Sequence, residues 1–281
     1  MGYKTILAVM DTAENAHGLG DFVATLAQTY ASHVIGLHME TAETAPLAAP
    51  MEFPDPVTIQ AMQEVAHQET TEVEAIFKAK MAAEQISSEW RTGMSSVGYG
   101  SSAAIQSARC ADLVIARQST ESSISDSRLD LDNFLYETGR PILLVPHVLR
   151  SPKSVRRVMI AWNGSREATR ATFDAMPFLL AAESVEIFSV GAEDNDTQSA
   201  ELAGSEIAAT LARHGINVVV TSEQRAHTLA PEKAIEQRLS DNSIDLLVMG
   251  AYGHSRWWEM LFGGVTRSLL GKMTALTLMS R

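Results

Sequence analysis

The chain has 281 residues, of which 46% are hydrophobic and 20% are charged, and its formal net charge is −12 at pH 7. This composition is typical of a globular protein with a buried core. The acidic excess argues against nucleic acid as a main partner, because phosphate backbones are held by clustered lysine and arginine. A lone cysteine, Cys110, excludes an internal disulfide and a cysteine-rich metal site.

The amino-terminal sequence MGYKTILAVMD reaches an acidic residue too early for a signal peptide. No apolar stretch approaches the roughly 20 residues that a membrane span needs. We therefore expect a cytoplasmic protein without a membrane partner.

The first half alternates strand-like and helix-like segments. An apolar run, TILAVMD, ends at Asp11, and the runs HVIGLHM, CADLVIARQ and PILLVPHV follow it along the chain. Between the second and third of these runs, the range Glu40–Gln60 holds four of the nine prolines. Proline-rich segments disfavour regular structure, so we predict a surface loop or lid there.

The second half repeats this order of elements. RRVMIAWN ends at Asn163, SVEIFSV follows, and an aspartate again precedes an apolar run, at Asp245 as at Asp112 in the first half. ALTLMSR closes the chain. Ser165 has the position of a helix N-cap, and Pro177 should kink or end the helix that follows it.

Short apolar runs alternating with helix-period stretches predict βαβ units and a parallel sheet covered on both faces. We therefore predict an α/β protein of two tandem domains, residues 1–150 and 151–281. Each should contain a five-stranded parallel sheet flanked by helices. The last strand of each domain is the candidate edge for pairing between domains or between chains. The sequence leaves open whether two chains form a homodimer.

Glycines follow the run LLVMG at the end of a predicted strand. Gly250 and Gly253 would let backbone approach a ligand above the sheet, where open α/β sheets bind ligands. Gly263 and Gly264 precede a predicted helix, whose free N–H groups and dipole favour phosphate. The alternative is that these glycines only make tight turns.

The pattern Gly250, two residues, Gly253, nine residues, Gly263 resembles the nucleotide-binding signature of the universal stress protein family. The segments AWNGSRE, IDLLVMGAYGHS and GGVTR extend the resemblance to a tandem two-domain member. It implies flavodoxin-like or adenine nucleotide alpha hydrolase-like domains. It also implies ATP, with or without Mg²⁺, bound between the ends of the first and fourth strands.

The resemblance implies one site, in the C-terminal domain. Its residues are Asn163, Val190, Met249, Gly250, Gly253, His254, Gly263, Gly264, Val265 and Thr266. For His254 a solvent-facing turn is the alternative. Asn163 stands where the family usually has Asp, and Gly264 replaces a Ser or Thr. Both differences weaken the inference of ATP binding, because each removes a group that could hold the phosphates or a metal.

The first half lacks the signature. Aligning Asp112 with Asp245 places Arg117 and Thr120 at the positions of Gly250 and Gly253. A bulky side chain at the first of these positions takes the room that a ligand needs. We expect no nucleotide in this half.

No catalytic residue and no metal site can be assembled from the spacing of the remaining residues, and Cys110 is predicted to be a core residue. The leading hypothesis is a stress-response regulatory module that binds adenine nucleotide and is at most a slow ATPase. One alternative is an interaction protein that binds no nucleotide and acts through protein partners. Another is a hydrolase acting on a small metabolite in the N-terminal half.

Overall fold

The computed structural model describes residues 2–41, 56–95, 102–118, 131–191, 197–224, 231–251 and 273–281. Within these ranges ten strands and eight helices alternate along the chain. Their contacts divide the chain into two compact units. Of the described residues, the first unit contains 3–117 and 131–138, and the second contains 139–281 with Gly2 and Gln118.

The first unit is a parallel sheet with helices. Its strands are β1 (Thr5–Val9), β2 (His33–Thr41), β3 (Ser88–Ser95) and β4 (Leu113–Arg117). Its helices are α1 (Ala13–Tyr30), α2 (Pro56–Ala83), α3 (Ser102–Arg109) and α4 (Leu131–Thr138). The strands pair in the order β3-β2-β1-β4, and every described pair is parallel.

The second unit repeats this arrangement and adds two strands. Its strands are β5 (Ile142–Val145), β6 (Arg157–Ala161), β7 (Ser184–Gly191), β8 (Val218–Gln224), β9 (Leu246–Gly250) and β10 (Leu276–Ser280). Its helices are α5 (Arg166–Asp174), α6 (Met176–Ala181), α7 (Thr197–Arg213) and α8 (Pro231–Asp241). The order is β5-β10-β9-β6-β7-β8, parallel except where β5 joins β10.

The predicted α/β fold with a mainly parallel sheet is confirmed. The two strands predicted to offer pairing edges, β5 and β10, are hydrogen-bonded antiparallel to each other, with Leu143 opposite Leu278. This pairing places β5 in the second compact unit, although it belongs to the first half of the sequence repeat. The division into domains 1–150 and 151–281 stays a prediction.

An aspartate accepts hydrogen bonds at the amino end of β1 in the first unit and of β6 in the second. Asp112 Oδ2 accepts hydrogen bonds from the backbone N–H groups of Lys4, at 2.8 Å, and Thr5, at 3.0 Å. Asp245 Oδ2 accepts the corresponding bonds from Arg156 and Arg157, both at 3.0 Å. The two aspartates that mark the sequence repeat therefore have the same structural role.

Local signals in the second half place the helix boundaries correctly. Ser165 Oγ accepts a hydrogen bond from the N–H of Ala168 at 3.1 Å, so Ser165 is the N-cap of α5. Helix α5 ends at Asp174, and Pro177 lies in the first turn of α6. Proline is tolerated there because a first-turn N–H has no intrahelical partner.

The predicted loop Glu40–Gln60 is wrong at both of its ends. Strand β2 continues through Thr41, and helix α2 begins at Pro56. The loop signal came from the prolines, but Pro56 occupies a helix start, where its fixed φ is favourable. Residues 42–55 lie outside the described part of the chain.

We expect Asp112→Ala and Asp245→Ala each to lower the free energy of unfolding by about 2 kcal/mol, because two strand N–H groups lose a charged acceptor. Urea denaturation measures the change. Asp241→Ala, an exposed aspartate at the end of α8, is the control and should leave the midpoint nearly unchanged. Equal stability of the Asp112 and Asp245 variants and the control would contradict the assigned role.

Candidate functional site

The ends of three neighbouring strands form one edge of the second unit. Strand β9 lies parallel beside β6, with Met249 opposite Ala161, so the loops after both strands begin side by side. Strand β7 flanks β6 on its other side and carries Val190 near its end. The carboxyl ends of parallel strands are where open α/β sheets bind ligands. Of the ten predicted site residues, Asn163, Val190, Met249 and Gly250 are described and lie at or next to these strand ends.

Asn163 shapes the turn that leads from β6 into α5. Its side chain is exposed, and Oδ1 accepts a hydrogen bond from the backbone N–H of Ser165 at 3.1 Å. Gly164 between them has a φ of +70°, which glycine adopts without steric penalty. The amide oxygen is thus engaged locally, which leaves the exposed NH₂ group as the part of Asn163 that can meet a ligand.

Gly250 allows close packing between strand and helix. A Cβ atom at this position would lie 2.5 Å from the backbone nitrogen of Ala168 and 2.6 Å from the carbonyl carbon of Glu167. Both atoms belong to the first turn of α5. The sequence interpretation gave Gly250 a role in admitting a ligand, whereas its described neighbours give it a packing role.

A charged pair begins α5 at the same edge. Glu167 is buried, with 3% of its surface exposed, and Arg166 Nη2 lies 3.0 Å from its Oε1. The Arg166 side chain is 75% exposed, so this cation faces solvent beside the turn of Asn163. Arg166 was not among the site residues predicted from the sequence. The position of Arg166, directly after the N-cap, was the available signal.

Three buried polar atoms near this edge have no hydrogen-bond partner within the described ranges. They are Trp162 Nε1 after β6, Ser189 Oγ in β7 and Ser280 Oγ in β10. Buried polar groups are usually paired with protein, water or ligand. As far as the described residues go, this edge therefore has unsatisfied hydrogen-bonding capacity.

Six predicted site residues lie outside the described part of the chain. They are Gly253, His254, Gly263, Gly264, Val265 and Thr266. The phosphate cradle that they were predicted to form stays a prediction.

The equivalent edge of the first unit is built differently. Ala116 of β4 pairs with Val9 of β1, and Met249 of β9 pairs with Ala161 of β6 in the same way. The residues that follow, Arg117 and Gly250, therefore have equivalent positions in the two units. Its Nη1 lies 3.3 Å from the point where a Cβ on Gly18 would stand. Helix α1 thus has a glycine where the arginine side chain needs room.

The prediction that Cys110 is a core residue is wrong. Cys110 is a free and exposed thiol. It lies in the turn between α3 and β4, where its N–H donates to the carbonyl of Ser107 at 3.3 Å. The following strand is buried, but the turn that precedes it is not.

A cleft of about 400 Å³ lies near the amino ends of β6 and β7, away from the candidate site. Glu186 and Arg238 line this cleft and form an ion pair, in which Arg238 Nε and Nη2 lie 3.0 Å and 2.5 Å from Glu186 Oε1. Asn242 Nδ2 donates to Glu186 Oε2 at 3.1 Å, and the Arg238 guanidinium lies 5.7 Å from the centre of the Phe188 ring. Sequence reasoning missed this network, whose one signal was a glutamate inside the apolar run SVEIFSV.

The pKa of Glu186 is shifted by two opposing causes. Burial raises the pKa, but hydrogen bonds from Arg238, Thr221 and Asn242 and the charge of Arg238 lower it more, so the net pKa is below the ordinary 4.5. The carboxylate is therefore ionised at neutral pH and stabilises the folded state through its donors.

No helix within the described ranges is both long enough and apolar enough to cross a membrane. No three His, Cys, Asp or Glu side chains among the described residues gather to hold a metal ion.

Comparison with known proteins identifies the second half. Residues 154–281 match the sequence model of the Universal stress protein family. These residues form a universal stress protein domain. The chain is also 30% identical over 145 residues to a universal stress protein of Synechocystis, covering 51% of this chain and 47% of that protein. The matched region thus spans about half the length of this relative.

Solved structures extend the similarity in fold to the whole chain. A universal stress protein from Archaeoglobus fulgidus aligns with a TM-score of 0.70 and 17% identity, over 99% of this chain and 96% of that one. A putative universal stress protein from Pseudomonas aeruginosa aligns with a TM-score of 0.56 and 15% identity, over 99% and 93%. At these identities the likeness establishes the fold of both halves.

Gly250→Ala should lower the free energy of unfolding by about 1 to 3 kcal/mol, because the added Cβ would overlap the backbone of α5. The control is Gly20→Ala in α1, where a Cβ would lie at an ordinary 3.5 Å from Lys80 Cγ. Alanine favours a helix interior over glycine, so the control should be neutral or stabilising. Thermal unfolding of both variants measures the difference, and tolerance of Gly250→Ala would refute the packing role.

Glu186→Gln should lower the free energy of unfolding by about 1 to 2 kcal/mol at pH 7, because Arg238 loses its charged acceptor. Because the pKa of Glu186 is lower in the folded than in the unfolded state, the ionised carboxylate stabilises the fold at a pH above its unfolded-state pKa. This stabilisation is lost as the pH falls through the folded-state pKa. The difference from wild type should therefore shrink as the pH falls below about 4.5. Urea titrations at several pH values measure it, and a pH-independent difference would show that the charge is not involved.

Proposed function

We propose that the chain is a regulatory protein that binds adenine nucleotide, with one ATP site at the carboxyl edge of its universal stress protein domain. The observation that supports the proposal is that the carboxyl ends of β6 and β9 lie side by side. Strands β6 and β9 place Asn163 and Gly250 beside the start of α5, and the resemblance implies a nucleotide at these positions. The family match covers the same residues.

Charge supports the second half as the place for an anion. Residues 1–150 contain 9 Lys and Arg against 19 Asp and Glu, net −10, whereas residues 151–281 contain 13 against 15, net −2. The exposed Arg166 adds a cation beside the Asn163 turn. In the first unit Arg117 fills the place of Gly250, which supports a single site.

The proposed site binds rather than hydrolyses. Asn163 provides an amide where a carboxylate could hold Mg²⁺, and Glu167 at the same edge is buried in its pair with Arg166. Fast phosphoryl transfer needs a positioned base and several cations on the phosphates. We therefore propose a cytoplasmic binding module with at most slow ATPase activity, and the two domains as tandem repeats divided near residue 150.

Calorimetric titration with ATP tests the proposal. The wild type should bind, and Gly253→Val should weaken binding at least tenfold, because a branched side chain would enter the predicted phosphate loop. Thr120→Val is the matched control, since Thr120 has the same position in the first half, and it should bind like the wild type. Absence of ATP binding in the wild type would overturn the proposal and favour an interaction protein that binds no nucleotide.

Asn163→Asp tests the geometry of the site more finely. An aspartate retains the oxygen that accepts from Ser165, so we expect folding to be unchanged. The added charge should weaken binding of ATP alone and strengthen binding of the Mg²⁺ complex, because carboxylates are preferred Mg²⁺ ligands. ATP titrations with Mg²⁺ and with a chelator measure both effects. Equal affinities for the variant and the wild type under both conditions would place the phosphates away from residue 163.

A further inference from the structure

Strand β8 is an outer edge of the second unit. Among the described strands, only β7 is hydrogen-bonded to it, in parallel from Val185↔Val218 to Gly191↔Gln224. Val219 is 56% exposed and Val220 is 37% exposed, although both are large and hydrophobic. Unpaired strand edges with apolar side chains are sites at which another strand can add.

The first unit protects the equivalent edge. Strand β3 pairs with β2 in the same way as β8 pairs with β7. Glu89, opposite Ile35, has the position in β3 that Val219, opposite Glu186, has in β8. Glu89 forms an ion pair with Arg91 on this edge, and Arg91 also donates to Ser107 Oγ at 3.1 Å. Charged side chains are a common means of keeping sheet edges monomeric. In the second unit residues 217–222 of the edge strand are uncharged, and the cation that contacts this strand, Arg238 at Thr221 Oγ1, is paired with Glu186.

The sequence of β8 favours a second copy of the chain as its partner. If two copies pair antiparallel around a twofold axis at Val220, Val219 faces Thr221 and Val218 faces Ser222 of the other copy. Glu223, the one charged residue of β8, then has the register position opposite the uncharged Asn217. No like charges meet in this register, and the half that carries β8 has a net charge of only −2.

The chain already contains a pairing of this kind. Strand β10 pairs in parallel with β9 on one side. On its other side it pairs antiparallel with β5, where Thr277 lies opposite Leu144. Both strands are short and uncharged, like the central part of β8. An antiparallel neighbour is therefore an arrangement that the edges of this protein accept.

We propose that β8 is a self-association edge, at which two copies of the chain pair antiparallel about Val220 and continue the sheet of the second unit. Seven residues of strand contact bury less area than a standard stable interface. The dimer is therefore weak, and its population rises with protein concentration. The pairing does not require nucleotide.

Sedimentation velocity over a wide concentration range tests the proposal with two charge variants. Val219→Lys with Thr221→Lys places like charges opposite each other and should abolish the dimer. Val219→Lys with Thr221→Glu places opposite charges face to face in the same register and should retain it. Val65→Lys, on the exposed face of α2 where Val65 is 66% exposed, is the control and should behave as the wild type.

Three outcomes would overturn the proposal. They are a wild type that stays monomeric at every concentration, a dimer that survives the double lysine variant, and a dimer that both charge variants abolish. Circular dichroism first confirms that each variant is folded.

A cysteine placed on the axis tests the register independently. Residues that face each other in an antiparallel pair have Cα atoms about 4.5 to 5.5 Å apart, within the range that a disulfide spans. In a Cys110→Ser background, which removes the exposed native thiol, Val220→Cys should form a covalent dimer under mild oxidation. Val218→Cys, two residues off the axis, should not. Crosslinking at residue 218 in place of 220 would overturn the proposed register.

Discussion

The arrangement of each unit depends on one carboxylate at the amino end of its central strand. Asp112 and Asp245 lie immediately before β4 and β9, and each accepts two hydrogen bonds from the backbone at the start of the neighbouring central strand. Each aspartate also donates its own backbone N–H to the central strand, Asp112 to Thr5 O and Asp245 to Arg157 O, both at 2.9 Å. A register shift of one residue between the two strands would therefore break three hydrogen bonds. The fixed register determines which residues meet at the opposite, carboxyl end, where the candidate site lies.

The two units use this common frame to build different edges. In the second unit Gly250 removes a side chain so that α5 packs against the end of β9. In the first unit Arg117 has the same position, and the room is made on the helix instead, at Gly18. A small residue thus occurs on one side of each strand–helix contact. The exchange explains how the two units keep the same fold with residues of very different size at one position.

Patterns that depend on burial and on local turn chemistry could be predicted from the sequence. The apolar runs marked eight of the ten described strands, because a parallel sheet is covered on both faces. Strands β3 and β8, each at the end of its unit's strand order, were not among these runs. Ser165 marked a helix start through the hydrogen bond that its side chain accepts, and Pro177 marked one through the N–H that it lacks. Contacts between distant segments could not be predicted in this way. The pair of Glu186 and Arg238 and the contact between Gly250 and α5 depend on which elements become neighbours, and that follows from topology rather than from spacing along the chain.

Strand β7 connects the two surfaces of the second unit to which we assign functions. It pairs with β6 on one side, next to the turn of Asn163, and with β8 on the other, where Val190 lies opposite Glu223. A ligand that contacts Val190 would therefore touch β7, whereas a partner strand would touch only β8, the next strand in the sheet. Ligand binding would alter self-association only if it moved β7, because the two surfaces share no other described strand, and the coupling between them would be equal in both directions.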